Sequence, residues 1–199
     1  MLNLKNCHLR LATAADAAEL LKIYAPFVES EDRNLSDVSF EYDVPTVEEF
    51  AGRIRDISAA YPYIVCEHEG RLIGYVYAHP YIQRAAYQWG AEVTIYLAPE
   101  GQGCGLGRVM YTALESLLRL QGIKTLYSCI TASNKHSVKM HEALGYKIIG
   151  TFEKAGFKHG HWLDMVWMEK RIADLPAAPQ LIKKIGDLLI GEIEENLKI

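Results

Sequence analysis

The chain has 199 residues, 50% of them hydrophobic and 23% charged, a globular composition that excludes disorder and fits one domain with at most a short appendage. A net charge of −4 and an isoelectric point near 6.0 argue against general binding to nucleic acid or anionic membranes. No apolar run approaches the ~20 residues of a membrane span, Met1 to Arg10 shows no signal peptide, and Cys7, Cys66, Cys104 and Cys129 form neither a zinc pattern nor a disulfide framework; a cytoplasmic protein is expected.

Cys7 to Leu11 reads as a short strand, and Thr13-Ala-Ala-Asp16 as the capping signal of a helix with Leu20, Leu21, Tyr24 and Phe27 on its apolar stripe. Glu29 to Val44 is polar and irregular, either a surface connection or a substrate lip. Thr46-Val-Glu-Glu49 is a second capping box, followed by Phe50, Ile54 and Ile57 on one face. Tyr63 to Glu67 and Leu72 to Ala78 are β-rich and joined by Glu69-Gly70-Arg71, a hairpin signal. Glu92 to Leu97 is another strand. After the glycine-rich stretch Gly101 to Gly107, Leu106, Val109, Met110, Ala113, Leu117 and Leu120 recur at helical spacing until Gly122. Thr125 to Thr131 is a strand, Asn134 to Leu144 a helix closed by Gly145, and two more strands fit Tyr146 to Thr151 and Trp162 to Met168. The order βααββ, βαβα, ββ predicts an α/β (α+β) fold, a mixed central sheet flanked by helices. The predicted domain spans 7–172. In the tail, 173–199, Leu181, Ile182, Ile185, Leu189, Ile193 and Leu197 predict an amphipathic helical extension, which either covers the domain or extends a subunit contact.

The glycine stretch fails both the G-x-x-x-x-G-K-[ST] and the G-x-G-x-x-G phosphate-loop templates. It fits Q-x-x-G-x-G as Gln102, Gly105 and Gly107, set between a strand and a helix. Glycine lets consecutive amides approach a ligand, and the helix adds its partial positive charge, so the loop is either a pyrophosphate cradle or a plain glycine-rich turn.

Ile95-Tyr96-Leu97, then Gln102-x-x-Gly105-x-Gly107, then Asn134 and Gly145-Tyr146 resemble the acetyl-CoA site of the GNAT superfamily of N-acetyltransferases. Within it the chain is most similar to phosphinothricin acetyltransferases, through Phe40-Glu41, Tyr61-Pro62, Arg84-Ala-Ala-Tyr87, Ala91-Glu92, Met140-His-Glu-Ala-Leu-Gly-Tyr146 and Ala155-Gly-Phe-Lys-His-Gly160. The likeness runs from about Leu9 to Arg171. It implies a sheet whose strands Glu92–Leu97 and Thr125–Thr131 splay apart, with acetyl-CoA in the gap as co-substrate. The pantetheine would pair with the backbone of Ile95, Tyr96 and Leu97. The pyrophosphate would rest on Gln102, Gly103, Cys104, Gly105, Leu106 and Gly107, with Asn134 and Ser137 bonding the arm.

The resemblance also implies direct attack of an amine on the thioester, which calls for a base, an oxyanion donor and an acid for the departing sulfur. Glu92 resembles the glutamate given the role of base, although a strand-edge salt bridge would also use such a residue. The oxyanion donor expected is the backbone amide of Leu97. His141 stands where many of the superfamily carry a tyrosine and these relatives a histidine; it is the candidate acid or base, or else a helix histidine bonded to backbone. Arg84 would hold the acceptor's carboxylate, with Tyr87 adding a hydroxyl and Phe40 an apolar wall. Where the herbicide-detoxifying enzymes carry a lysine two residues before the arginine, this chain has Ile82, a lost cation that counts against phosphinothricin as the natural substrate and leaves a related analogue such as methionine sulfoximine or methionine sulfone as a reasonable expectation. No histidine spacing suggests a metal. The function implied is N-acetylation of the α-amino group of a small amino-acid analogue; another small amine, a peptide N-terminus, or a non-catalytic acyl-CoA sensor are the alternatives. A homodimer is implied too, with the acceptor pocket near the contact; the aromatic cluster Tyr77, Tyr81, Tyr87 and Trp89 suits either such a contact or the acceptor pocket of a monomer.

Overall fold

The structure, a computed structural model, describes residues 2–199. Seven strands form one sheet in the order β1-β2-β3-β4-β5-β7-β6: β1 (Cys7–Leu11), β2 (Tyr63–His68), β3 (Arg71–Pro80), β4 (Gly90–Leu97), β5 (Thr125–Thr131), β6 (Lys147–Lys158) and β7 (His161–Arg171). All neighbours are antiparallel except β4 and β5, which run parallel through the crossover helix α5 (Leu106–Gln121). The remaining α-helices are α1 (Ala17–Tyr24), α2 (Pro26–Glu29), α3 (Arg33–Ser36), α4 (Val47–Ser58), α6 (Lys135–Ala143) and α7 (Ile190–Asn196). No helix among the described residues is long and apolar enough to cross a membrane.

Strand alternation divides the core between the two faces of the sheet. Ile64, Cys66, Val76, Ala78, Ala91 and Val93 pack against Leu106, Met110, Leu114 and Leu117 of α5. Tyr63, Val65 and Tyr75 pack the other way, against Leu20 and Tyr24 of α1 and Phe50 and Ile54 of α4. Thr46 and Glu49 form the predicted capping box at the start of α4, and Gly122, at φ +94, ends α5 as a left-handed cap. The β2–β3 turn uses left-handed Glu69 and Gly70, at φ 51 and 75, the twist that short hairpins require.

Three expectations change. Phe27 leaves the α1 stripe because Pro26 begins the separate turn α2, and Ile23 takes the buried place. The last two strands run well past Thr151 and Met168, through register shifts between Phe152 and Gly156; β6 is an exposed edge, so burial imposes no alternation there for sequence to reveal. The tail is not one amphipathic helix. It holds a 3-10 turn at Ile185–Asp187 and the seven-residue α7, with Leu181 and Leu189 exposed. Part of its backbone bonds to the domain: the amide of Lys183 donates to the Gln121 carbonyl at 2.8 Å, and that of Ile185 to the Ala60 carbonyl at 3.0 Å. Gln121 Nε2 donates to the carbonyls of both Ala60 and Lys183, at 2.7 and 2.8 Å. Ile185, Leu188 and Leu197 thereby join the core that α5 covers.

The segment from Val28 to Ser39 is held down by a lysine. Lys158, at the end of β6 and 1% exposed, donates from Nζ to the carbonyls of Val28, Ser36 and Ser39 at 3.1, 2.7 and 2.8 Å. Burial pulls its pKa down. Beside it, His161 Nε2 lies 3.1 Å from Asp37 Oδ2, and Thr131 Oγ1 donates to the Asp37 carbonyl at 2.8 Å.

Candidate active site

β4 and β5 pair only where Gly90 to Glu92 face Thr125 to Tyr127. Both strands continue, to Leu97 and Thr131, so the sheet opens just past Glu92. On its other side β4 stays paired with β3, and the Ala98 amide donates to the Ile73 carbonyl. In the antiparallel alternation this makes Leu97–Gly74 a non-hydrogen-bonded pair. Ile95 and Leu97 therefore direct their backbone groups into the gap, whereas Tyr96 spends its own on β3. Of the three backbone positions expected to pair with a cofactor arm, Ile95 and Leu97 open into the gap and Tyr96 does not.

A groove of about 550 Å³ follows the gap, lined by Ile95, Tyr96, Leu97, Gln102, Gly103, Gly105, Gly107, Asn134 and Ser137. The other two loop residues contribute backbone only: Cys104 turns its thiol to the Gly101 carbonyl at 3.2 Å, and Leu106 is buried in the core. Gln102 Nε2 donates to the Leu97 carbonyl at 3.0 Å, bracing the loop against β4. Gly103 and Gly105 sit at φ +69 and +88, where a side chain would be strained. Among the described residues, the amides of Gly103 through Arg108 find no acceptor within the protein. They are a row of donors at a helix start, the arrangement that suits a pyrophosphate. Arg108, His136 and Lys139 stand along the same groove. Asn134 caps α6, its Oδ1 accepting from the Ser137 amide at 3.1 Å. The expected groups thus fit a nucleotide-linked thioester, and Phe27, Leu35 and Val38, which sequence reading had not selected, close the groove from the lip.

Glu92 lies at the mouth of the gap with 20% of its side chain exposed, and the nearest charged partner is His79. Burial pushes the Glu92 carboxyl above the usual carboxylate range, and His79 pulls it back down. The opposing effects leave a carboxylate that is a better base than an exposed one.

His141 is 2% exposed. Its Nδ1 lies 2.8 Å from the Ser137 carbonyl, which can only accept, so the ring proton is assigned to Nδ1. Nε2 then accepts, with Tyr111 Oη at 2.9 Å and Ser128 Oγ at 2.8 Å. Burial lowers its pKa to about 4. These contacts do not fit an acid that gives up a proton at neutral pH; they fit an imidazole that orients two hydroxyls. Tyr111, Ser128 and His141 line a small cavity of about 80 Å³ between the splayed strands, together with Ile95 and Tyr96.

The expected acceptor residues are more dispersed. Arg84 and Tyr87 occupy the exposed loop that joins β3 to β4 beside Glu92, and Arg84 has no ion-pair partner among the described residues. Tyr81 anchors that loop by stacking on Tyr127 with ring centroids 3.9 Å apart. Phe40 packs on the backbone of Gly156, where even a Cβ would collide with its ring. Under the lip, Tyr24, Glu41, Arg53, Tyr75, Tyr77 and Tyr96 surround a cavity of about 180 Å³. Glu41 and Arg53 are ion-paired there at 2.8 Å. Of these, Glu41 and Tyr96 lie in the motifs that carry the family resemblance, whereas Arg53 and Tyr75 carry no sequence signal beyond helix and strand position. Among the described residues, no group of three or more His, Cys, Asp or Glu is placed to hold a metal ion.

The chain is 36% identical to a phosphinothricin N-acetyltransferase of Streptomyces viridochromogenes over 180 residues, 90% of this chain and 95% of the relative. It is 28% identical to an L-methionine sulfoximine/L-methionine sulfone acetyltransferase of Salmonella typhimurium, covering 86% of this chain and 97% of the other. The crystal structure of a GNAT superfamily phosphinothricin acetyltransferase from Sinorhizobium meliloti, in complex with acetyl-CoA, superposes with a TM-score of 0.80 at 32% identity, over 88% of this chain and 94% of that one. Residues 9–167 match the acetyltransferase (GNAT) domain, and on that match together with these identities the chain belongs to the GNAT family of acetyltransferases.

Proposed function

We propose that this protein transfers the acetyl group of acetyl-CoA to the α-amino group of a small amino-acid analogue of the methionine sulfoximine, methionine sulfone or phosphinothricin type. The observation that carries the reading is the parting of β4 from β5 just past Glu92. It sets a half-buried carboxylate at the head of a groove lined with unpaired backbone donors. Bound acetyl-CoA supplies an activated thioester carbonyl. Glu92 takes the proton of the acceptor's ammonium group, and the backbone amides of Ile95 and Leu97 offer donors along the gap. His141, a helix histidine bonded to backbone as one of the two sequence readings had it, holds the hydroxyls of Tyr111 and Ser128, a positioning role in place of the acid or base role of the other reading. Arg84, with its free guanidinium, holds the acceptor carboxylate, and Tyr87 and Phe40 flank it.

Thiol release from acetyl-CoA in the presence of an amino-acid panel tests the reading. Methionine sulfoximine and methionine sulfone are expected to be turned over faster than phosphinothricin, because Ile82 supplies no second cation. Acetyl-CoA binding without thiol release on any amino acid, amine or peptide would make the protein a sensor instead.

The cradle has its own test. Gly105→Val places a β-branched residue at φ +88, a strain of about 1–3 kcal/mol confined to an exposed loop. Acetyl-CoA affinity is expected to fall at least about tenfold by calorimetry, with the thermal transition still cooperative. Unchanged affinity in the folded variant would move the pyrophosphate elsewhere.

We also propose a homodimer, with its contact on the outer hairpin. Of the aromatic segment expected near the contact, Tyr77 stacks on Tyr63 with centroids 4.8 Å apart, Tyr81 on Tyr127, and Trp89 Nε1 donates to the Gln180 carbonyl, which leaves Tyr87 exposed. β6 and β7 instead expose Ile148, Ile149, Phe152, Phe157 and Trp162, each at least 45% accessible, an apolar edge of the kind subunits cover. Light scattering at micromolar concentration is expected to give twice the chain mass, and Trp162→Glu to halve it.

A further inference from the structure

The residue directly across from Glu92 on β3 is His79, so both side chains stand on the same face of the sheet. His79 Nε2 lies 4.0 Å from Glu92 Oε1, and its Nδ1 lies 3.1 Å from the Pro80 carbonyl. That carbonyl can only accept, which assigns the proton of the neutral ring to Nδ1 and turns the Nε2 lone pair toward the carboxyl. The carboxyl is the inner partner, with 20% of its side chain exposed, and the imidazole the outer one, with 32%. The other titratable groups on this side of Glu92 are Tyr77 on β3, Tyr127 and Cys129 on β5, and Glu169 on β7 beyond Tyr127. Burial pushes the Tyr127 hydroxyl and the Cys129 thiol up to about 12, and that of Tyr77 upward as well, so all three keep their protons at neutral pH. Glu169 is paired with Arg171 at 3.8 Å. His79 is the one group of this set with both a free lone pair aimed at Glu92 and an open path to water.

We infer that His79 is a relay and positioning residue for the transferase reaction, receiving from Glu92 the proton that Glu92 takes from the acceptor and returning it to solvent. The inference rests on the reading of Glu92 as the base. In the first step an ammonium N–H bond breaks and a carboxyl O–H bond forms. In the second that O–H bond breaks and an Nε2–H bond forms, leaving the carboxylate free for the next turnover. The imidazolium then loses one proton to bulk water, so the cycle releases a single proton and leaves both side chains as they began. At 4.0 Å the second step runs after a small side-chain rotation or through one bridging water. While it is charged, the imidazolium also favours the carboxylate, offsetting the burial that would otherwise keep Glu92 protonated.

The test measures kcat from about pH 6 to pH 9 for the wild type, His79→Gln, His79→Asn, His79→Ala and Glu92→Gln. Asn can keep the bond to the Pro80 carbonyl and Gln can reach the place of Nε2, but neither takes up a proton. Both are expected to lower kcat about tenfold, less than the ~10²–10⁴-fold of a general base itself. Both should also move the acid limb of the profile to higher pH, with KM for acetyl-CoA unchanged. Added imidazole should restore part of the activity of His79→Ala, which a merely structural histidine would not allow. Full activity with an unmoved acid limb in the Gln and Asn variants, or no imidazole rescue in a folded His79→Ala, would overturn the relay while a strong Glu92→Gln defect left the base assignment standing. A silent Glu92→Gln would overturn both.

Discussion

Glu92→Gln is expected to lower kcat by ~10²–10⁴-fold while leaving KM for acetyl-CoA unchanged, because the group handles a proton and does not touch the cofactor groove. The substitution keeps the shape and the hydrogen-bonding reach of the side chain but removes the basic oxygen. The wild-type profile carries its own signature. Burial raises the carboxyl pKa and the ionised form is the active one, so kcat is full above that pKa and falls as pH drops through it. Glu92→Gln should lose this limb together with the rate. Wild-type kcat in the variant between about pH 6 and pH 9 would leave only a site that orders an amine already deprotonated in solution.

The second large effect concerns stability. Burial lowers the His141 pKa to about 4, against ~6.5 in an unfolded chain. The unfolded state therefore takes up the proton first as the solution is acidified. Stability is complete above about pH 6.5 and declines as pH falls toward 4, by about 3 kcal/mol in all. Urea unfolding at about pH 7 and about pH 4.5 should show most of this loss in the wild type and little of it in His141→Asn, which starts from a lower stability. An equal acid loss in both proteins would assign it to another group. The same measurement bears on the reaction, since a histidine neutral down to this range cannot be the acid at physiological pH.

How far sequence reaches depends on what each residue is answering to. Elements whose burial imposes a clear pattern announced themselves: β5 runs from Thr125 to Thr131, and α5 from Leu106 until Gly122 turns left-handed. The glycine loop was legible because amides that must stay free demand glycine there. What stayed hidden depends on register. Nothing in the chain order places His79 opposite Glu92, because that pairing is set by the β3–β4 ladder across an exposed loop. His141 looked reactive as a lone helix histidine, until the carbonyl one turn back and two hydroxyls from other elements filled its bonding capacity. The tail kept helical spacing, but the amides of Lys183 and Ile185 pair with the carbonyls of Gln121 and Ala60, and the helix is confined to its last residues. Local propensity cannot anticipate a competing acceptor that arrives from elsewhere in the chain.

Lys158 gives the lip a mechanical character that loops of its length seldom have. One ammonium group grips three carbonyls spread over Val28 to Ser39. Lifting the segment would strip all three contacts together, with ~1–3 kcal/mol at stake for each buried group left unsatisfied. The lip is thus a riveted wall and not a swinging door. The rivet stands at the tip of β6, the strand whose apolar edge lies open to solvent. Whatever seats itself along that edge is braced against the same rigid piece that frames the acetyl groove.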